Sequence, residues 1–309
     1  MAKPFLTPED VADMLKISKY TVYEIVKRGE LPVTRIGRKM RFNPEDLDVF
    51  LGKQHGVPEA EDEYSRAQGA GRLAPPVLFI GSHDLSVDLV IRYMKERGEG
   101  TLILPAFVGS MEGLLSMYFE KADIVGCHLL DEETGEYNTP IIRRMFAGQP
   151  VYVVQFVKRN IGWIVPEGNP KHLQGWKDLN RADLVFVNRQ KGAGTRLLLD
   201  FHLKKMGIDR RSIRGYENVE QTHTDLASAV LRGEADAGLG TESAARKRGL
   251  GFVPLIKERY DFVMREEFYK SEQWLSIKQI LQSDELQEGI NKLGGYDVTG
   301  IASVIEEVN

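Results

Sequence analysis

Val77-Leu78-Phe79-Ile80-Gly81-Ser82-His83-Asp84-Leu85-Ser86-Val87 decides the fold of most of this chain. Val77 to Ile80 read as a short buried strand, and Gly81 to Asp84 as a turn. Beyond it Val87, Val90, Ile91 and Met94 recur at helical spacing, ended by Gly98. The same handover repeats down the chain. Thr101–Pro105 precedes a helix through Met111, Leu114, Leu115 and Tyr118, and Ile124–Cys127 follows. Apolar runs stand at Val151–Val157 and Gly162–Pro166. Strand Leu184–Val187 leads to a helix from about Thr195 to Met206, and strand Gly215–Val219 to a helix through Leu226, Ala229 and Val230. Strand Ala237–Leu239, helix Ser243–Lys247, strands Phe252–Leu255 and Asp261–Met264 and two closing helices complete it. Strands alternating with helices predict an α/β body with parallel sheets covered on both faces.

The first 54 residues read differently. Thr7-x-x-Asp10 has the form of a capping box, with Pro8 at the first helical position. Val11, Met14 and Leu15 make an apolar stripe. Ser18 caps a second helix striped by Val22, Ile25 and Val26, which Gly29 and Pro32 end. Two short helices about a tight turn form a helix-turn-helix pattern. Residues 33–42 follow as a basic hairpin, or wing, around Gly37, and Asn43-Pro44-Glu45-Asp46 opens a third helix reaching about Gly52. Residues 55–75 are a linker by composition, rich in Gly, Pro and acidic residues; Pro58 to Gln68 has the alternative of a short helix.

Length and charge agree with this division. The chain has 309 residues, 42% hydrophobic and 28% charged, which suits about two globular domains. No apolar run is long enough to span a bilayer. The start carries no apolar signal core, so the expected compartment is the cytoplasm. The single cysteine, Cys127, excludes an internal disulfide, and the histidines show no metal spacing, so no metal site is expected. A net charge of −4 conceals a basic head: residues 19–41 hold seven basic and two acidic side chains. That head predicts a nucleic-acid partner. Lys19, Tyr20, Tyr23 and Lys27 lie off the apolar stripe of the second helix; Lys19, Tyr20 and Tyr23 are the candidates for base or phosphate contact. Arg35, Arg38, Lys39 and Arg41 on the wing suit phosphates.

In the body, four turns put Ser, Thr or Gly where a helix begins: Gly81–Asp84, Val108–Ser110, Gly192–Arg196 and Thr222–Asp225. Each offers free N–H groups and a positive dipole end, which bind anions. Each hydrogen bond to an oxyanion contributes about 1.5–3 kcal/mol, so four to six suffice for micromolar affinity, about −8 kcal/mol. Asp84 and Asp225 discriminate among ligands. A carboxylate in the cleft favours a protonated phosphate or an organic ligand; both acting as helix caps leaves an all-donor cleft suited to molybdate or tungstate.

Two resemblances follow from these residues. Thr7-x-Glu9-x-Val11-Ala12-x-x-Leu15, Ile17-Ser18-x-x-Thr21-Val22-Tyr23, Gly29-x-Leu31-Pro32, Arg35, Gly37, Arg41-Phe42 and Asp46-Leu47 resemble the excisionase/MerR-type winged helix over residues 4–52. This implies binding to a double-stranded operator, commonly through two copies, with Thr21 among the contact residues. Gly81–Asp84, Gly109-Ser110, Asn188-Arg189-x-x-Gly192-x-Gly194-Thr195-Arg196, His223-x-x-x-Ala227-x-x-Val230-x-x-Gly233-x-Ala235-Asp236-x-Gly238, Glu258–Asp261 and Gly294–Asp297 resemble type 2 periplasmic-binding-protein-like domains. The version meant is the one joined to helix-turn-helix regulators and molybdopterin-pathway proteins. The resemblance spans residues 76–300 and implies two lobes, about 76–157 with 259–309 and about 158–258. Crossing strands near Val151–Lys158 and Arg259–Met264 would join them. Relatives that bind molybdate or tungstate use serine hydroxyls and backbone N–H groups. Carried over, this nominates Ser82, Ser110 and Thr195, then Gly194, Thr222, Thr224 and Tyr260. His83, Arg196 and Asp84 depart from a plain neutral oxyanion site and leave the ligand open.

The expected function is a non-enzymatic regulator that senses a small oxyanion, works as a homodimer or higher oligomer, and carries no cofactor. Two alternatives stand beside it. One is a two-lobed enzyme of the deaminase/transferase type with a cofactor tethered to Cys127. The other is an architectural DNA-binding protein whose body only dimerises.

Overall fold

The computed structural model describes residues 6–15, 26, 32–36, 39–43, 75–97 and 100–308. The chain divides into two units, Met1–Leu73 and Ala74–Asn309.

In the first unit, helix α1 spans Pro8–Leu15. Its capping box is formed: the Thr7 amide donates to Asp10 at 2.8 Å, and the Asp10 amide to the Thr7 hydroxyl at 3.2 Å. Strands β1 (Thr34–Ile36) and β2 (Lys39–Arg41) form the expected antiparallel hairpin, with Thr34 opposite Arg41. Leu6 and Phe42 extend it by a bridge. The expected second and third helices and the linker lie outside the described residues.

The second unit is built on one mixed sheet of ten strands. Strands β3 (Val77–Gly81), β4 (Ile103–Phe107) and β5 (Ile124–Cys127) run parallel, β3 in the middle. Helices α2 (Leu85–Arg97) and α3 (Ser110–Tyr118) follow β3 and β4, and α4 (Thr139–Met145), which the sequence reading missed, follows β5. A second parallel set is β7 (Phe186–Arg189), β8 (Val219–Glu220) and β9 (Ala237–Thr241), with α5 (Gly194–Met206), α6 (His223–Leu231) and α7 (Glu242–Lys247).

Two long antiparallel strands join these lobes. β6 (Val151–Val165) and β10 (Gly251–Arg265) each run 15 residues. The four separate apolar runs expected here are thus two continuous strands. Polar residues such as Lys158–Asn160 and Lys257–Arg259 interrupt the apolar pattern where each strand passes from one lobe to the other, although hydrogen bonding continues through them. The expected strand Gly215–Val219 shrinks to Val219–Glu220, and Leu184–Val187 shifts to Phe186–Arg189. Helices α8 (Glu266–Tyr269), α9 (Glu272–Leu281) and α10 (Asp284–Leu293) and strands β11 (Tyr296–Asp297) and β12 (Val304–Val308), both paired with β6, bring the chain back to the first lobe.

Each lobe is covered on both sheet faces. In the first, Val87, Val90, Met94, Trp274, Ile277 and Ile290 pack on one face, and Leu114, Met117, Ile142 and Phe146 on the other. In the second, Leu198, Leu199 and Leu203 of α5 face Trp163 and Phe186. Leu226, Val230, Ala244 and Ala245 of α6 and α7 face Ile164 and Val187. Burial of such side chains is worth about 1.5–3 kcal/mol each, which holds the strand ends that carry the site.

Candidate functional site

In parallel units the carboxyl ends of strands hand over to helix starts, so both lobes bring such ends toward the crossing strands. The two lobes touch there. A Cβ on Gly194, the first residue of α5, would lie 2.7 Å from the His128 ring; one on Gly109, before α3, would lie 3.3 Å from the Gly192 carbonyl oxygen. Glycine is therefore required for this approach.

Ser82, Ser110 and Thr195 are all buried, at 2%, 0% and 1% exposure. Ser82 Oγ lies 2.9 Å from Ser110 Oγ, and the His128 amide donates to Ser110 Oγ at 3.2 Å. His128 Nε2 lies 3.1 Å from Ser82 Oγ, and its Nδ1 3.2 Å from Glu258 Oε2. Thr195 Oγ1 is buried without a partner, as are Thr224 Oγ1, Arg189 Nη1 and both ring nitrogens of His223. Unpaired buried donors are costly unless something completes them. Neither α3 nor α5 has a side-chain cap, so their first N–H groups are also unclaimed by side chains.

In the other two predicted turns, Thr222 and the carboxylates Asp84 and Asp225 bond within the protein. Thr222 caps α6 by accepting from the Asp225 amide at 3.0 Å, and its hydroxyl donates to the Asp225 carboxylate. Asp84 accepts from the Ser86 amide at 2.8 Å, from Tyr296 at 2.8 Å, and pairs with Arg159. Both carboxylates thus accept hydrogen bonds within the protein, Asp84 from several groups and Asp225 from the Thr222 hydroxyl. Of the remaining nominated residues, Tyr260 donates to the Ser82 carbonyl at 2.6 Å and so positions that turn. His83 sits edge-on to Phe107 with Nε2 3.0 Å from Asp88. Arg196 stacks on Tyr216, 4.0 Å from its centroid, and donates to the Arg189 carbonyl at 3.1 Å. These contacts satisfy Arg196 locally rather than at the interlobe contact.

Four residues at this junction went unnamed as ligand contacts in the sequence reading: His128, Arg159, Arg189 and Glu258. Arg159 on β6 donates to Glu258 on β10 at 2.7 Å and pairs with Asp84, all three at 2% exposure or less. Burial raises the Glu258 carboxyl, but His128 and Arg159 outweigh it and hold it ionised. Arg189, at the end of β7, donates to the Gln221 carbonyl at 2.8 Å. Burial and the charge of Arg159 push its pKa down to about 9. Burial likewise lowers His128 and, with Arg189 and Arg159 adding to it, lowers His223 well below the imidazole range. The strands gave a weak signal for these residues, since a charged residue inside an apolar run needs a partner. Cys127 is buried in the first lobe's core, and burial pushes its thiol up, against a nucleophilic thiolate. Among the described residues no metal-binding group of His, Cys, Asp or Glu occurs, and no helix is long and apolar enough to cross a membrane.

On the head, Arg35, Lys39 and Arg41 lie on β1 and β2. Lys19, Tyr20, Thr21, Tyr23, Lys27 and Arg38 lie outside the described residues.

Two lobes joined by a pair of crossing strands, with donors buried between them, define a two-lobed ligand-binding domain. Comparison with known proteins agrees. The PBP superfamily domain matches residues 91–282, and a helix-turn-helix domain matches residues 5–55. Uncharacterized protein YvgK of Bacillus subtilis (strain 168) is 39% identical over 307 residues, 97% of each chain. A putative DNA-binding protein of Mycobacterium tuberculosis (strain ATCC 25618 / H37Rv) is 50% identical over 46 residues, 15% of this chain and 59% of that one. A putative phosphate ABC transporter substrate-binding protein from Clostridium perfringens, solved with bound phosphate, has the same fold. Its TM-score is 0.53 at 17% identity, over 71% of this chain and 98% of that one. The chain belongs to the PBP superfamily, with an excisionase-type helix-turn-helix domain, a DNA-binding module, at its N-terminus.

Proposed function

We propose that the protein is a ligand-responsive transcription regulator whose body closes on a small tetrahedral oxyanion, molybdate or tungstate, and so alters the affinity of its head for an operator. One observation carries the reading. Arg189 Nη1, Thr195 Oγ1 and Thr224 Oγ1 are buried without partners, and α3 and α5 begin with no side-chain cap. A small anion that only accepts hydrogen bonds is the kind of partner that such donors lack. Asp84 accepts from the Ser86 amide and Asp225 from the Thr222 hydroxyl, which favours a fully ionised oxyanion over hydrogen phosphate, which needs an acceptor for its proton.

The test has two parts. Thermal unfolding of the full chain with molybdate, tungstate, sulfate or phosphate should show stabilisation by the first two, about 2.7 kcal/mol at a hundredfold excess over Kd. Thr195→Val should weaken binding roughly tenfold to a hundredfold, the loss of one charged hydrogen bond. Affinity for DNA selected from a random pool is then measured with and without the oxyanion. Equal affinities remove the regulatory step; stabilisation by phosphate alone reassigns the ligand.

A further inference from the structure

We propose that His128 is a proton gate for this cleft: capture of a fully ionised oxyanion by the Ser82 hydroxyl takes up one proton from solvent onto the His128 ring. The inference rests on the oxyanion reading and concerns how Ser82 comes to donate.

Counting hydrogens leads to it. Arg159 holds Glu258 ionised through Nε and Nη2, at 2.7 and 2.6 Å from its Oε1, so the carboxylate can only accept and the His128 nitrogen facing it, Nδ1 at 3.2 Å, carries a hydrogen. In the neutral ring Nε2 is then a bare lone pair, and its neighbour at 3.1 Å, the Ser82 hydroxyl, must donate to it. Ser82 Oγ in turn accepts from the Ser110 hydroxyl at 2.9 Å, and Ser110 Oγ accepts from the His128 amide at 3.2 Å. Both hydroxyl hydrogens are spent inside the protein. An oxyanion without hydrogens would meet only serine lone pairs.

Protonating Nε2 reverses the chain. Nε2–H then donates to Ser82 Oγ, and the Ser82 hydroxyl hydrogen is free for the anion. The imidazolium is held between Glu258 and the new negative charge. The surroundings are set for such a switch. Burial keeps the ring neutral, with Arg159 on β6 and Arg189 on β7 adding to it, while Glu258 on β10 pulls the other way. The start of α5 packs on the ring at Gly194, and Tyr260 stacks at 5.8 Å. The His223 ring on α6 is coupled to it electrostatically. A dianion entering beside Arg189 offsets those two cations and tips the balance.

The experiment is calorimetric titration of the full chain with sodium molybdate at pH 7.5, in buffers of different ionisation enthalpy. Uptake of about one proton per oxyanion is expected, with affinity weakening about tenfold per pH unit above neutrality. Glu258→Gln, which removes the carboxylate that holds the imidazolium, should cut uptake toward zero at pH 7.5. The ring nitrogens of His128 in ¹⁵N-histidine-labelled wild-type protein should move to the doubly protonated position on adding molybdate, which settles the site if that variant does not fold. Binding without proton uptake overturns the gate and leaves the oxyanion reading standing. Uptake with His128 remaining singly protonated also overturns it. No binding of molybdate, tungstate, sulfate or phosphate removes both.

Discussion

Arg189 is the residue on which the cleft's charge balance turns. Arg159 is shared between two carboxylates, whereas Arg189 has only carbonyl and amide partners and an idle Nη1. Its pKa, brought down from the ordinary guanidinium range to about 9, corresponds to a cost of about 5 kcal/mol at neutral pH. A base depressed in this way binds fewer protons folded than unfolded from about pH 9 up to the ordinary guanidinium range, so the cost is constant at pH 7 and fades only above 9. Arg189→Met should therefore leave the unliganded protein at least as stable as wild type, while abolishing stabilisation by oxyanion. Thermal unfolding with and without molybdate checks both; a variant that still responds to molybdate would show that Arg189 does not face the ligand. That Ser82, Ser110 and Thr195 stand where a strand hands over to a helix was legible beforehand, because small hydroxyl residues at such turns announce themselves locally. Arg189 was quoted as part of a motif, but nothing local revealed that burial and the charge of Arg159 would outweigh the pull of Asp225 and Glu258 on it.

Helix starts that look alike in sequence do different work. α6 is closed by Thr222, whose hydroxyl accepts an amide of its own first turn, while α3 and α5 have no side-chain cap. Thr222→Ala should cost about 1 kcal/mol of stability, the loss of one N-cap, with oxyanion affinity unchanged within about threefold. A large loss of affinity would instead return Thr222 to the site. The start of α5 is set against His128 through a glycine. In Gly194→Ala the new methyl collides with the His128 carbonyl oxygen and ring, so the lobes must part. Small-angle scattering should show a larger radius of gyration for the body, and oxyanion affinity should fall at least tenfold. An unchanged radius with wild-type affinity would mean that contact is soft. The local pattern S/T/G-before-helix is common to all four turns; which carries a cap and which is left open depends on side chains packed from elsewhere.

At the scale of the molecule, the crossing strands carry both the connection between lobes and a pH response. Asp261 on β10 is fully buried beside Asn138 and Arg259, and burial pushes its carboxyl up to about 6. The folded chain thus holds a proton that the unfolded chain releases between about pH 4 and 6. This contribution to stability is present below pH 4 and is lost as the pH rises through about 6. Asp261→Asn should flatten that part of the stability-against-pH curve between pH 4 and 7, measured by urea unfolding; a curve unchanged from wild type would place the proton elsewhere. By itself the sequence determined the division into a basic head and an α/β body, the order of most strands and helices, the capping box and the hairpin. All of these follow from periodicity and turn chemistry within about ten residues. Tertiary structure decided what those local signals cannot hold. Paired runs fused into two long strands because ladder hydrogen bonding with each other carries them through polar residues. Of the helix-opening turns, that of α6 is capped by Thr222, while α3 and α5 begin without a side-chain cap. Residues as far apart as His128 and Glu258, or Asp84 and Arg159, met only because burying charge in low dielectric forces each to find its opposite across the fold.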